Sequence, residues 1–250
     1  MLTADGARFH AQIEAAFEQI ARATAALKPG APTTLSIWSG PGIAARRLLP
    51  RLPELEALLP AREIMLQPTL ARPDWHRREA DAEIAYLDGP DRRDGVRSEL
   101  IARPRLFPVA SPALRAAFPN VGTAADLLAM PLLHEESTDQ WMRWFEAAGL
   151  ERVPPLRGAR LWHAHLAMEA ARLGQGVALA IETLVGEEIA TGALVEVVPS
   201  DVRLGGYYLV APAARWGDPD LGALRAWVAT VFGEPAASPM VPFRHQSSTN

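Results

Sequence analysis

Ala170-Ala171-Arg172-Leu173-Gly174-Gln175-Gly176-Val177-Ala178-Leu179 carries the chain out of one helix and into the next strand. The helix runs from His165 to Leu173, Gly174-Gln175-Gly176 stops it, and Val177 to Ile181 is an apolar run of strand length. Working outward from this joint, apolar strand-length runs alternate with amphipathic helical stretches. That order predicts an α/β protein with largely parallel sheets.

Upstream, Thr33 to Trp38 reads as a strand closed by Ser39-Gly40-Pro41-Gly42. A helix follows with Ile43, Leu48 and Leu49 on its apolar face, Ser39 as its expected cap, and Pro50 and Pro53 bending or ending it. Glu63 to Thr69, Glu83 to Tyr86 and Leu106 to Ala110 are further strands, and Ser111-Pro112 opens a helical turn. Ser137-Thr138-Asp139-Gln140 reads as a capping box, with Trp141, Trp144, Phe145 and Ala148 at helical spacing until Gly149. Downstream, Leu194 to Val198 and Tyr207 to Ala211 are strands, and Leu221, Leu224, Val228 and Val231 mark a last helix. The Pro- and Ser-rich tail, 233–250, is expected to be disordered.

At the other end, Ala7 to Leu27 holds no Pro or Gly, and Ile13, Phe17, Ile20, Thr24 and Leu27 form a heptad-like seam. Such a seam suits either a helix lying on its own domain or one that forms a dimer; its narrowness favours the dimer. Lys28-Pro29-Gly30 stops the helix. The segment between Leu106 and Gly205 has its own strands and helices. The expected organisation is therefore a dimerisation helix at 1–28, one lobe from 29–104 plus 205–232, and a second lobe at 105–204.

Composition closes several routes. The 250 residues contain no cysteine, which excludes disulfides, thiolate metal sites and a cysteine nucleophile. Net charge is −4, and the arginines and single lysine, Lys28, are scattered rather than gathered into a phosphate-neutralising stripe. No secretory signal pattern opens the chain and no apolar run reaches the length of a membrane span, so the expected location is the cytoplasm. His163-Ala164-His165 is the one close histidine pair; on a strand both rings would face one side, yet no carboxylate follows at ligand spacing, so no metal is expected. No G-x-S-x-G elbow is present, and the acidic pairs read as surface charge, with Glu135-Glu136 set apart by lying just before a helix. Gly40-Pro41-Gly42 and Gly174-Gln175-Gly176 are too short for nucleotide fingerprints. They offer backbone N–H groups at helix starts, suited to a small anion.

Four stretches are similar, in order, to motifs of the LysR-type regulators. Leu2-Thr3-Ala4-Asp5-Gly6 resembles the L-T-x-x-G that closes that family's winged helix-turn-helix, and Leu48-Leu49-Pro50-Arg51-Leu52-Pro53-Glu54-Leu55 its L-L-P-R-L-P-x-F. The opening decapeptide resembles A-A-x-x-G-x-G-V-A-L, and Gly192-Ala193-Leu194-Val195 resembles G-x-L-V. The W-x-x-W-F-x-x-x-G of Trp141 to Gly149 further resembles the subgroup of glycine-cleavage and β-lactamase regulators. Two departures stand out: the helix-turn-helix itself is absent, and Asp81 to Gly89 lacks the arginine of the family's D-x-x-I-R-x-G.

The resemblance implies two Rossmann-like lobes of the type II periplasmic-binding-protein kind, preceded by a long linker helix. A small effector would sit between the lobes, and DNA would be contacted only through the missing head. Carried over by position, the cleft is lined by Ser39, Gly40, Thr69, Glu136, Ser137, Thr138, His163 and Tyr207. Hydroxyls and amides suit an anion while Glu136 favours an amine, so an amino-acid-like ligand satisfies both. The expected protein is a sensor that uses no cofactor and catalyses no reaction, a homodimer through Ile13, Phe17, Ile20 and Leu27, with pairing into tetramers left open. A transporter's solute-binding protein of the same fold is the alternative.

Overall fold

The computed structural model describes residues 33–233. The seam residues Ile13, Phe17, Ile20 and Leu27 lie outside them, as does the tail beyond Gly233. Within them the strands are β1 (Thr33–Ser39), β2 (Arg62–Pro68), β3 (Ala82–Leu87), β4 (Val96–Ala102), β5 (Leu106–Ala110), β6 (Ala178–Ile181), β7 (Val195–Glu196) and β8 (Gly206–Pro212). The helices are α1 (Pro41–Ile43), α2 (Leu52–Leu58), α3 (Pro112–Ala117), α4 (Asp139–Ala147), α5 (Ala164–Arg172), α6 (Glu182–Ala190) and α7 (Pro219–Gly233). Among the described residues no helix is long and apolar enough to cross a membrane.

The strands make two sheets, one ordered β2-β1-β3-β8-β4 and the other β6-β5-β7. Only β2, β1 and β3 run parallel; β8 lies antiparallel between β3 and β4, and β5 is antiparallel to both neighbours. The first sheet is thus mixed and the second antiparallel, rather than both largely parallel. The reason is the route: β8 enters the first sheet on the chain's return from the second, opposite in direction to the strand it joins. At that crossing, a Cβ on Gly206 would lie 2.8 Å from the Ala102 carbonyl oxygen, and one on Gly205 would lie 2.7 Å from that of Leu87. Only glycine permits so close a backbone approach.

Between β1 and β2 the helical run is continuous but irregular. An α-turn at Pro41–Ile43 passes into a π-helical stretch, Ala44–Leu48, then a 3-10 turn, Leu49–Arg51, then α2. Pro50 and Pro53 lack the N–H needed for the regular ladder, so they change its register without ending it. β4 and α6, by contrast, were not foreseen from the sequence. β4 is a half-exposed edge strand carrying Arg97, Ser98 and Glu99, which hides its alternation.

One apolar core joins Leu35, Ile37 and Ile84 of the first sheet to Phe107, Val109 and Ala180 of the second. A second core gathers Trp141, Trp144 and Phe145 of α4 with Leu106 and Leu179. The two indoles are anchored as well as buried: Trp141 Nε1 donates to the Leu133 carbonyl and Trp144 Nε1 to that of Leu106, each at 2.8 Å. The Trp141 bond holds segment 132–134, which adds single bridges Leu132–Val177 and His134–Arg160 beside the second sheet, and the Trp144 bond holds the start of β5.

The expected capping box does not form. Thr138 occupies the N-cap of α4 with no side-chain cap bond, and Ser137 Oγ instead accepts from the Asp139 N–H at 3.1 Å. Gly174-Gln175-Gly176 opens no helix; Gly174 takes φ +78° at the end of α5, and its N–H is bonded back to Ala171.

Candidate functional site

The C-terminal ends of β1 and β3 and the segments 69–72, 135–140 and 162–168 meet around a cleft of about 270 Å³. Ser39 ends β1, and the chain turns at Gly40 into the helical run. Gly40, not Ser39, is the N-cap there, and no side chain caps the end. Pro41 opens the helix without an N–H, so the first-turn donors on this wall are the Gly42 and Ile43 amides. Ser39 is 2 % exposed, and its Oγ finds no hydrogen-bond partner, nor does the neighbouring buried Trp38 Nε1. A Cβ built on Gly40 meets nothing within 4 Å, so this wall is open space. Thr69 lies alongside, its N–H bonded to the Ser39 carbonyl at 2.8 Å and its Oγ1 accepting from the Ala71 N–H at 3.0 Å.

Tyr207 of β8 closes the floor, edge-on to Tyr86 of β3 with ring centroids 5.2 Å apart; burial pushes both phenols up from their ordinary range. His163 is the N-cap of α5 and His165 stands in its first turn, so the pair is not on a strand. Their rings nevertheless stack, with centroids 5.4 Å apart. Trp162 beside them adopts φ +61° and is 61 % exposed.

Two carboxylates face this space and are treated differently. Glu83 is buried, and burial pushes its carboxyl up, but Arg72 and Arg93 pull the other way through ion pairs. Arg72 and Arg93 also reach Asp91, at 2.7 and 2.8 Å, so these four charges neutralise one another. Glu135 has no such partner. Burial pushes it up, opposed only by a hydrogen bond from Gln140 and the field of His163.

Of the residues expected from the sequence, Ser39, Gly40, Thr69, His163 and Tyr207 line the cleft together. Glu136, Ser137 and Thr138 do not; Glu136 is exposed, and its neighbour Glu135 faces inward instead. Glu135 and Glu136 both lie in the bend between the His134 bridge and α4, where neither a strand nor a helix period tells which of the two turns inward. Gln140, Arg72 and Glu83 were also missed; the apolar spacing of the strands gives no sign of them. Among the described residues no cluster of three or more His, Asp or Glu could hold a metal ion.

Two α/β lobes around a cleft with donors on one wall and an acid on the other define an effector-binding domain. A family model described as LysR substrate binding domain matches residues 29–233. The chain belongs to that family. It is 28% identical over 232 residues to the Glycine cleavage system transcriptional activator of Escherichia coli (strain K12), covering 91% of this chain and 75% of that protein. It is 33% identical over 233 residues to the HTH-type transcriptional regulator TrpI of Pseudomonas aeruginosa, covering 91% and 77%. In structure it is similar to the effector domain of the transcriptional regulator AmpR of Pseudomonas aeruginosa, with TM-score 0.68, 26% identity, and 80% and 95% of the two chains covered. These relatives are transcription regulators, not enzymes or solute-binding proteins.

Proposed function

We propose that the cleft binds a small polar metabolite, amino-acid-like in chemistry, and that its occupancy is the signal this domain transmits. The lobes of this reading are 29–104 with 205–232, and 105–204. In the cytoplasm the chain acts as a homodimer, paired through Ile13, Phe17, Ile20 and Leu27 and open to tetramer formation, and DNA is read by a winged helix-turn-helix head outside these 250 residues. A ligand shifts the lobes only to the extent that it binds their arrangements with different affinity.

The observation that carries the reading is the Ser39 hydroxyl: buried, without a partner among the described residues, and set beside a helix start that no side chain caps, at the wall of the cleft. A buried hydroxyl left unsatisfied is costly, and a bound anion would supply its partner. The test is a thermal-shift screen of the chain and of Ser39→Ala against amino acids, small carboxylates and cell-wall fragments. A ligand at a hundredfold its dissociation constant adds about 2.7 kcal/mol of stability. A hit that Ser39→Ala weakens supports the reading; stabilisation that Ser39→Ala leaves intact contradicts it.

A further inference from the structure

The charges around the cleft do not balance evenly. Arg72, the cation on its wall, is already engaged by Glu83 and Asp91, and Glu83 is paired a second time by Arg93. Glu135, from the segment between β5 and α4, makes no ion pair with a described residue; a hydrogen bond from Gln140 and the field of His163 are what oppose the effect of its burial. Lining the same cleft are the unpartnered Ser39 hydroxyl and the uncapped helix start at Gly40. One wall therefore offers donors without an acceptor, and the other an acid without a cation. A plain carboxylate would fill the first wall and leave a like charge facing Glu135, which costs affinity.

Resting on the cleft reading above, we infer that Glu135 receives the ammonium group of the ligand, whose acidic group lies at Ser39 and Gly40. The ligand is then a zwitterion that touches both lobes at once. Its amine decides specificity, because a free carboxylic acid or an N-acylated amino acid leaves Glu135 unpaired in a confined space. Glu135 is thus a ligand-contact residue, and Gln140, bonded to it, a positioning residue.

The test is a calorimetric titration of the full chain with the common L-amino acids, followed for each that binds by its N-acetyl and deaminated analogues. Wild type should prefer the free amine by at least about tenfold, equivalent to about 1.4 kcal/mol. Glu135→Gln should erase that preference and Glu135→Asp should keep part of it, while both variants melt cooperatively. If the analogues bind wild type as tightly as the amino acid, or Glu135→Gln keeps the preference, the inference is overturned; weakening of every compound by Ser39→Ala would then leave the cleft reading standing. Binding by plain carboxylates with no amino acid bound also overturns it. Loss of the cleft reading itself would show differently, as binding indifferent to Ser39→Ala.

Discussion

At the residue scale, Glu135 ties stability to recognition. Burial raises its carboxyl above the ordinary glutamate value. In the folded chain the proton is therefore held at pH values where the unfolded chain has released it. Stability contributed by this group is present at low pH and is lost as pH rises from about 4.3, the ordinary glutamate value, through the raised one. Glu135→Gln removes that loss. Without ligand, the variant should melt higher than wild type at neutral pH, and the gap should close as pH falls toward 4; melting curves across pH 4–8 check this. A variant that melts lower at neutral pH would mean that the carboxylate is already well paired. The position of this acid was only half legible in the sequence. The Glu135-Glu136 pair is visible before a helix, but which member faces inward depends on the bend that follows the His134–Arg160 bridge, and that bridge is made to a residue distant in the chain. Ser39 is named in the cleft by the family resemblance and lines it, whereas the cap expected of it does not form, the N-cap being Gly40.

At the element scale, α4 holds the acid wall in place. Trp141 is almost fully buried and its indole N–H holds the Leu133 carbonyl, two residues from Glu135. Trp141→Phe keeps an aromatic ring but leaves that carbonyl without its donor, a loss of about 1–3 kcal/mol. Urea unfolding should show it as a lower midpoint at unchanged slope, and ligand affinity should fall with it. Unchanged stability would mean that water or relaxation replaces the bond. Elements with a clear period, such as α4 and α5, were legible to within a residue or two. α6 was not, because Glu182–Ala190 follows β6 directly, with no capping residue to mark its start and with Gly186 in its middle. The β4 edge strand was lost to its charged residues, and the capping box to the N-cap's falling on Thr138, with Ser137 Oγ taken by the Asp139 N–H.

At the scale of the whole molecule, the lobes are tied at more than the crossing strands. Arg46, in the helical run after β1, donates to the Leu184 carbonyl at 2.8 Å and pairs with Glu188, both on α6. Leu184 also packs against Gly42, where an added Cβ would come within 3.3 Å. The cleft wall that carries Ser39 is thereby coupled to the opposite lobe. Arg46→Met should cost about 1 kcal/mol once the partial exposure of the pair is discounted. It should speed amide hydrogen exchange across Glu182–Ala190, and unchanged protection there would show that packing alone holds the lobes. The architecture of two lobes could be read from the sequence because its motifs occur in family order. The antiparallel entry of β8 could not, since strand direction is set by the chain's return path and not by residue pattern.

The most direct test of the central claim is a crystal structure of the chain with the strongest hit from the thermal-shift screen. The account predicts the ligand between the lobes, its acidic group against Ser39 and Gly40 and its amine against Glu135. Density lodged elsewhere, for instance in the groove between Leu128 and Gly158, with the inter-lobe cleft holding only water, would contradict it.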